Sequence, residues 1–142
     1  MPDQCIELHD SQLAVLFFGL NDEAVLVFSA LYIHQSDGRP GIDPGIGWFQ
    51  RGEIVIDNAS LPEVIRDWPC EIFSGEAIID GTVHKNCIPL PLNCETSFKI
   101  MMQAQDDKNT LQSIEISGDG VELTGGSFHR RGGDQETRRC YP

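Results

Sequence analysis

The sequence lacks the segments that mark membrane proteins, secreted proteins and zinc ribbons. No apolar run reaches the roughly 18–20 residues that cross a bilayer, and the longest, Ala24–Ile33, has the length of a strand. The first residues show no basic stretch followed by an apolar one, as a secretory signal would. The five cysteines form no Cys-x-x-Cys pair, so no zinc ribbon or thioredoxin-type site is expected. We therefore expect a cytoplasmic protein with reduced thiols.

Catalytic and nucleotide-binding motifs are also missing. The chain has no Gly-x-Ser-x-Gly elbow and no phosphate-binding P-loop. Gly45-Ile-Gly47 lacks the third glycine of a dinucleotide fingerprint, and neither the calcium-loop pattern nor His-Glu-x-x-His occurs. From the motifs we predict no catalytic residue, no metal and no cofactor.

Basic residues are scarce. The chain holds 10 Lys and Arg against 22 Asp and Glu, a net charge of -12. Residues 128–142 carry four arginines against two acidic residues (+2), and the remainder carries six basic against twenty acidic residues (−14). Such a body repels nucleic acid and anionic membranes, so neither is expected as a partner. We predict one domain over residues 1–127, followed by a basic, flexible tail over 128–142.

Period-two alternation is abundant, whereas sustained helical periodicity is not found. In Thr96–Gln105, apolar and polar residues alternate cleanly, and Glu23–His34 is apolar on both faces, as in a covered strand. The Pro89–Asn93 stretch has two residues without amide donors, so it belongs at an edge or a crossover. Further strands are predicted at Cys5–Leu8, Gln12–Leu20, Trp48–Asp57, Glu71–Phe73, Glu76–Asp80, Thr82–Ile88, Thr110–Ser117 and Val121–Thr124.

These strands indicate an all-β fold. About eight or nine short strands, joined by turns rich in Gly, Asp and Asn, predict an antiparallel β-sandwich, with an open barrel as the alternative. Ser60 and Glu63 have capping-box spacing, and Pro69 would end a helix. We therefore expect at most one short helix near residues 60–67, with an irregular loop as the alternative.

One loop, Tyr32–Gln50, concentrates unusual residues between two strands. If those strands pair, the side chains of Tyr32, His34, Trp48 and Gln50 could gather at one sheet end, with charged residues above them. The alternative is structural: glycines, prolines and aspartates shape a long turn, and the arginine pairs with an aspartate. The predicted ligand-binding residues are Tyr32, His34, Asp37, Arg39, Asp43, Trp48 and Gln50.

The same loop carries a resemblance. Its sequence is similar to a pattern in small bacterial all-β proteins of unknown function. The pattern reads Tyr-x-His-x-Ser-x-Gly-Arg-Pro-Gly-x-Asp-x-Gly-x-Gly-Trp-x-Gln. Ile88–Pro91 and the closing strands Ile114–Leu123 are similar too, so the likeness covers roughly residues 10–125. The resemblance implies a fold and a bacterial source, and it implies no activity. The segment after Gly126 departs from the pattern.

Three functions are compatible with these features. The first is a binding or interaction module, self-associating as a homodimer, that holds a small polar ligand or a protein partner at the loop or at an exposed sheet face. The second is a small enzyme acting on a polar metabolite, with His34 as general base and Asp37 or Asp43 orienting it. The third is an acidic inhibitor of a basic protein, as an immunity protein is, because the body carries −14.

Overall fold

The described residues form one antiparallel sheet of ten strands that folds over as an open β-sandwich, not closed into a barrel. The computed structural model describes residues 3–40, 42–60 and 69–124, so the predicted helix near 60–67, beyond Ser60, and the predicted tail over 128–142 lie outside the described residues. The predicted all-β class is confirmed. The strands are β1 (Asp3–Phe18), β2 (Ala24–Ser36), β3 (Ile46–Asp57), β4 (Cys70–Ile79), β5 (Thr82–Lys85), β6 (Cys87–Leu90), β7 (Asn93–Cys94), β8 (Phe98–Asp106), β9 (Leu111–Gly118) and β10 (Gly120–Thr124).

The sheet order is β7-β10-β3-β2-β1-β4-β8-β9, with β5 paired to β4 and β6 paired to β1. Only Asp119 separates β9 from β10, so one bent segment runs from the β8 end of the sheet to the β3 end. Ser60 and Ser117 exchange backbone hydrogen bonds of 2.8 and 3.1 Å at this corner. A strand that bends from one end of a sheet to the other is how a sandwich closes over its core.

The core lies between the folded halves of the sheet. The alternation predicted for Thr96–Gln105 is confirmed by β8, whose inward residues are all buried. Facing residues from β2 and β3 are equally enclosed, which removes their apolar surface from water. The largest fully buried side chains are Phe28, Phe98, Ile6, Leu8, Leu13, Leu26, Leu31, Ile33, Ile54, Ile56, Ile72 and Ile88.

Two pairs of predicted strands are single strands interrupted by β-bulges. In β1, Glu7 pairs with Tyr32 and the next pair is Gln12 with Ala30, so the residues between them bulge out of the ladder. The Ser11 hydroxyl fills this gap, because it donates to the Glu7 carbonyl (2.9 Å) and accepts from the Tyr32 amide (3.1 Å). The ladder of β4 with β8 shifts in the same way at Phe73. Bulges keep a strand continuous while breaking its alternation, which is why the sequence suggested separate strands.

The proline-rich stretch lies where its missing amide donors predict. Pro89 belongs to β6, which pairs with β1 and lies off the main order of the sheet. The Leu90–Pro91 peptide is cis. Asn86, at positive φ, separates β5 from β6 within the single strand that was predicted over Thr82–Ile88.

Candidate functional site

The loop between β2 and β3 is held by its own side chains. The Ser36 hydroxyl donates to the Pro44 carbonyl and accepts from the Gly38 amide, both at 3.0 Å. Asp43 Oδ2 accepts from the Arg39 amide at 2.6 Å, and the Arg39 guanidinium donates to both carboxylate oxygens at 3.3 Å. The charged pair therefore has the structural role that was weighed as the alternative to ligand binding.

This ion pair shifts both pKa values. The hydrogen bond to Asp43, with its negative charge, raises the pKa of Arg39. The hydrogen bonds from the Arg39 side chain and amide lower the pKa of Asp43. Beside the pair is a depression of about 380 Å³ that Asp37 and Asp43 line together with neighbouring residues of the loop and the strand ends.

The register of β2 with β3 separates the aromatic and polar residues predicted to meet. The two strands pair at the expected sheet end, with Tyr32 opposite Phe49 and Ile33 opposite Trp48. Paired residues share a face, so Tyr32 and His34 lie on the face away from the core, whereas Trp48 and Gln50 lie on the core side. Trp48 packs against the core, and its indole donates to the Gln50 side chain at 2.8 Å. The four side chains form two groups on opposite faces, and ligand binding by either group stays a prediction.

His34 pairs with a carboxylate that the sequence did not single out. Its Nδ1 lies 3.7 Å from Glu7 Oε2, and the two side chains are only 12% and 11% exposed. The other Glu7 oxygen lies 3.6 Å from Nε2 of His9. The proposed catalytic pairing of His34 with Asp37 or Asp43 is thus not the one formed among the described residues, since Asp43 pairs with Arg39. Glu7 and His9 are two residues apart in β1, so alternation places them on one face, whereas the approach of His34 depends on the pairing of β1 with β2.

The expectation of reduced thiols is wrong for three of the four described cysteines. Cys5 and Cys87 form a disulfide with Cα atoms 5.7 Å apart, and Cys94 is disulfide-bonded as well. Cys5 and Cys87 come together because β1 and β6 pair, a long-range contact that spacing cannot reveal. Cys70 is the one free thiol among the described residues. Burial raises the pKa of the Cys70 thiol to about 11, which suits a structural and unreactive side chain.

A large groove among the described residues is acidic, and it lies at the other end of β2 and β3 from the loop. It has a volume of about 710 Å³, and the described residues that line it include no Lys or Arg. The register explains its composition: β2 begins directly after Glu23, β3 ends at Asp57 and β10 follows Asp119, so three carboxylates meet at adjacent strand ends. Its acidic residues are Glu23, Asp57, Glu95, Asp119 and Glu122.

Backbone and side-chain contacts fix part of this groove. The Asp119 amide donates to the Asp57 carbonyl at 3.0 Å, and the Asn58 side chain donates to Asp119 Oδ2 at 2.8 Å. The Ala59 amide donates to the Asp22 carbonyl at 2.9 Å, which ties β3 to the turn before β2. The rim is therefore shaped before any partner arrives. Over the described ranges, no group of three His, Cys, Asp or Glu residues has a metal-binding arrangement.

The resemblance to small bacterial all-β proteins and the cytoplasmic location both stay predictions. Within the described parts of the chain, no helix is long and apolar enough to cross a membrane. Comparisons with protein-family models, with curated proteins and with solved structures found no match.

Proposed function

We propose that this chain is a binding module that recognises a basic segment of a partner protein through the acidic groove. The observation that carries the proposal is the composition of the groove, five carboxylates with no Lys or Arg among the described residues that line it. Opposite charge across an interface favours encounter and selects the partner. The proposal keeps the predicted class of binding module and moves its contact surface from the Tyr32–Gln50 loop to the groove.

The charge of the whole body supports this partner chemistry. The described residues carry eighteen Asp and Glu against five Lys and Arg. Two of those five cations already pair with carboxylates, Arg39 with Asp43 and Lys99 with Glu115. The resulting negative field attracts cations over a distance set by the Debye length, about 8 Å at physiological salt. An acidic inhibitor of a basic protein fits this description.

The shape of the groove favours a peptide segment over a small molecule. The groove is open and its rim is polar, with Asn21, Asn58 and Asn93 beside the carboxylates. Amide side chains can bond to an extended backbone, and carboxylates can take arginine in bidentate geometry. A backbone hydrogen bond holds Asp57 to Asp119, so the main chain of this part of the groove needs no ordering on binding.

Fluorescence anisotropy with a labelled oligoarginine peptide tests the proposal on the full chain. We expect salt-sensitive binding that weakens severalfold in the Glu23→Gln/Glu95→Gln double variant, because two groove charges are lost. The matched control is Asp3→Asn/Asp80→Asn, which removes the same charge from two exposed carboxylates outside the groove. Equal weakening in both double variants would show that only net charge matters and would overturn the groove as the site.

A further inference from the structure

A second groove, on the outer face of β4, combines apolar walls with two opposite charges. It has a volume of about 500 Å³, and its lining includes Phe73, Met101, Glu76, Lys85 and His9. It shares no residue with the acidic groove, so the inference drawn from it does not depend on the proposed function. Grooves with an apolar surface and a few placed charges are the usual form of small-molecule sites.

The two bulges create this groove. Between β1 and β4 the ladder is interrupted, and Asn86 fills the gap: its amide donates to the Gly75 carbonyl, and its backbone and side-chain oxygens accept from Leu8 and His9, all at 2.8 Å. A Cβ at position 75 would lie 2.8 Å from the Leu8 side chain, so glycine permits this close approach. Bulges often lie beside binding sites, because they redirect side chains.

The bulge in β4 gives the groove an exposed aromatic wall. Phe73 lies at the register shift between Ile72 and Ser74, and 49% of it is accessible to solvent. Met101 lies on the neighbouring strand β8, opposite Glu76, and is half-buried. An aromatic ring beside a thioether offers a flat, polarisable surface for an apolar group.

The charges of the groove are opposed across two strands but are not paired. Glu76 and Lys85 lie directly opposite each other in the ladder of β4 with β5. Opposite charges at such positions commonly pair, yet neither side chain forms a salt bridge with any described residue. Glu76 therefore lies beside the groove where it could bind an ammonium group, and Lys85 lies where it could bind a carboxylate group.

We propose that this groove binds a zwitterionic amino acid with an aromatic or large apolar side chain. The carboxylate of the ligand pairs with Lys85, its ammonium pairs with Glu76, and its side chain packs on Phe73 and Met101. His9 forms one wall of the groove, and its backbone amide donates to the Asn86 side chain. The imidazole of His9 lies 3.6 Å from the Glu7 carboxylate and 3.5 Å from the Asp10 carboxylate. Each of the three ligand groups has its own complementary partner, which is the basis of selectivity.

Calorimetry and NMR titration of the full chain with L-phenylalanine test this inference. We expect millimolar or tighter binding, with shifts at the amides of Phe73 and Lys85. Phenylalaninamide lacks the carboxylate and phenylpropionate lacks the ammonium, so each should bind about tenfold more weakly. Equal binding of all three compounds, shifts confined to other strands, or no binding at millimolar concentration would each overturn the proposal.

Matched variants place the interaction on named side chains. Lys85→Gln should abolish the preference for phenylalanine over phenylalaninamide, whereas Lys108→Gln, which changes an exposed lysine outside the groove, should keep it. Phe73→Ala should weaken binding, and Phe49→Ala, at a comparably exposed phenylalanine on β3, should not. A Lys85→Gln variant that still distinguishes the two ligands would overturn the assigned carboxylate partner.

Discussion

At the scale of single residues, Gly47 sets how closely β2 and β3 approach on the outer face. A Cβ at this position would overlap the ring and hydroxyl of Tyr32, which itself packs on Phe49 with ring centroids 5.0 Å apart. We expect Gly47→Ala to lower the free energy of unfolding by about 1 kcal/mol, because the overlap forces the end of the tyrosine side chain to move. Urea denaturation followed by circular dichroism measures the change.

The control is Gly19→Ala, at a position where the added Cβ meets only ordinary van der Waals contacts, the nearest at 3.5 Å. It should leave the free energy of unfolding nearly unchanged or slightly raised, since alanine restricts the unfolded chain more than glycine does. A comparable loss in both variants would show that a general intolerance of glycine replacement, and not contact with Tyr32, explains the result.

Some side-chain contacts could be predicted from the sequence and others could not. Arg39 and Asp43 pair as the structural alternative predicted, and they lie only four residues apart in the same loop. The pairing of His34 with Glu7 could not be predicted, since it needs the contact between β1 and β2 and a bulge that brings Glu7 opposite Tyr32. A pattern within a short stretch of sequence can predict contacts inside that stretch, whereas contacts between strands depend on the register in which the strands pair.

At the scale of elements, the loop between β2 and β3 is held by an ion pair that acid should release. The pKa of Asp43 lies below its ordinary value of 3.8, because the Arg39 side chain and amide bind its carboxylate. The stabilisation is therefore complete above that ordinary value and is lost as the pH falls through the lowered pKa. We expect the amide resonance of Arg39 to titrate with a midpoint below 3.8 in an NMR pH series.

Two variants check that this titration belongs to the contact. Asp43→Asn should abolish the low-pH transition at Arg39, because the amide side chain has no proton to gain there. Asp37→Asn, in the same loop, should leave the transition in place. A midpoint at or above the ordinary value in the wild-type protein would contradict the ion pair.

Element boundaries were predictable where alternation was regular and unpredictable where bulges interrupt it. The predicted strand Thr96–Gln105 matches the bounds of β8 to within two residues, because the alternating apolar residues of this strand face the core. Tyr32, His34, Trp48 and Gln50 do lie at one end of the sheet because β2 and β3 pair, but they form two groups on opposite faces. A shift of one residue in register moves every side chain to the other face, and the fold of the loop, which the sequence alone does not reveal, sets that register.

At the scale of the whole molecule, the Cys5–Cys87 disulfide joins strands that are far apart in the chain. The bonded cysteines are 82 residues apart in sequence, and both lie on strands of the β1–β6 pair. Disulfides are typical of oxidising compartments, whereas we predicted a cytoplasmic protein with reduced thiols. The bond therefore counts against the predicted location, and that location stays a prediction.

Removal of this bond should cost stability mainly through the unfolded chain. In the chain-entropy model, a closed loop of this length is worth about 4.5 kcal/mol, so we expect Cys5→Ala/Cys87→Ala to lower the free energy of unfolding by up to that amount. The dependence of that free energy on urea should also steepen, because the unlinked chain exposes more surface when it unfolds. Urea denaturation without reductant measures both quantities.

Cys70→Ala, which removes a buried thiol and no crosslink, should show a smaller loss of unfolding free energy and an unchanged dependence on urea. The same loss and slope in both variants would contradict a stabilising role of the crosslink.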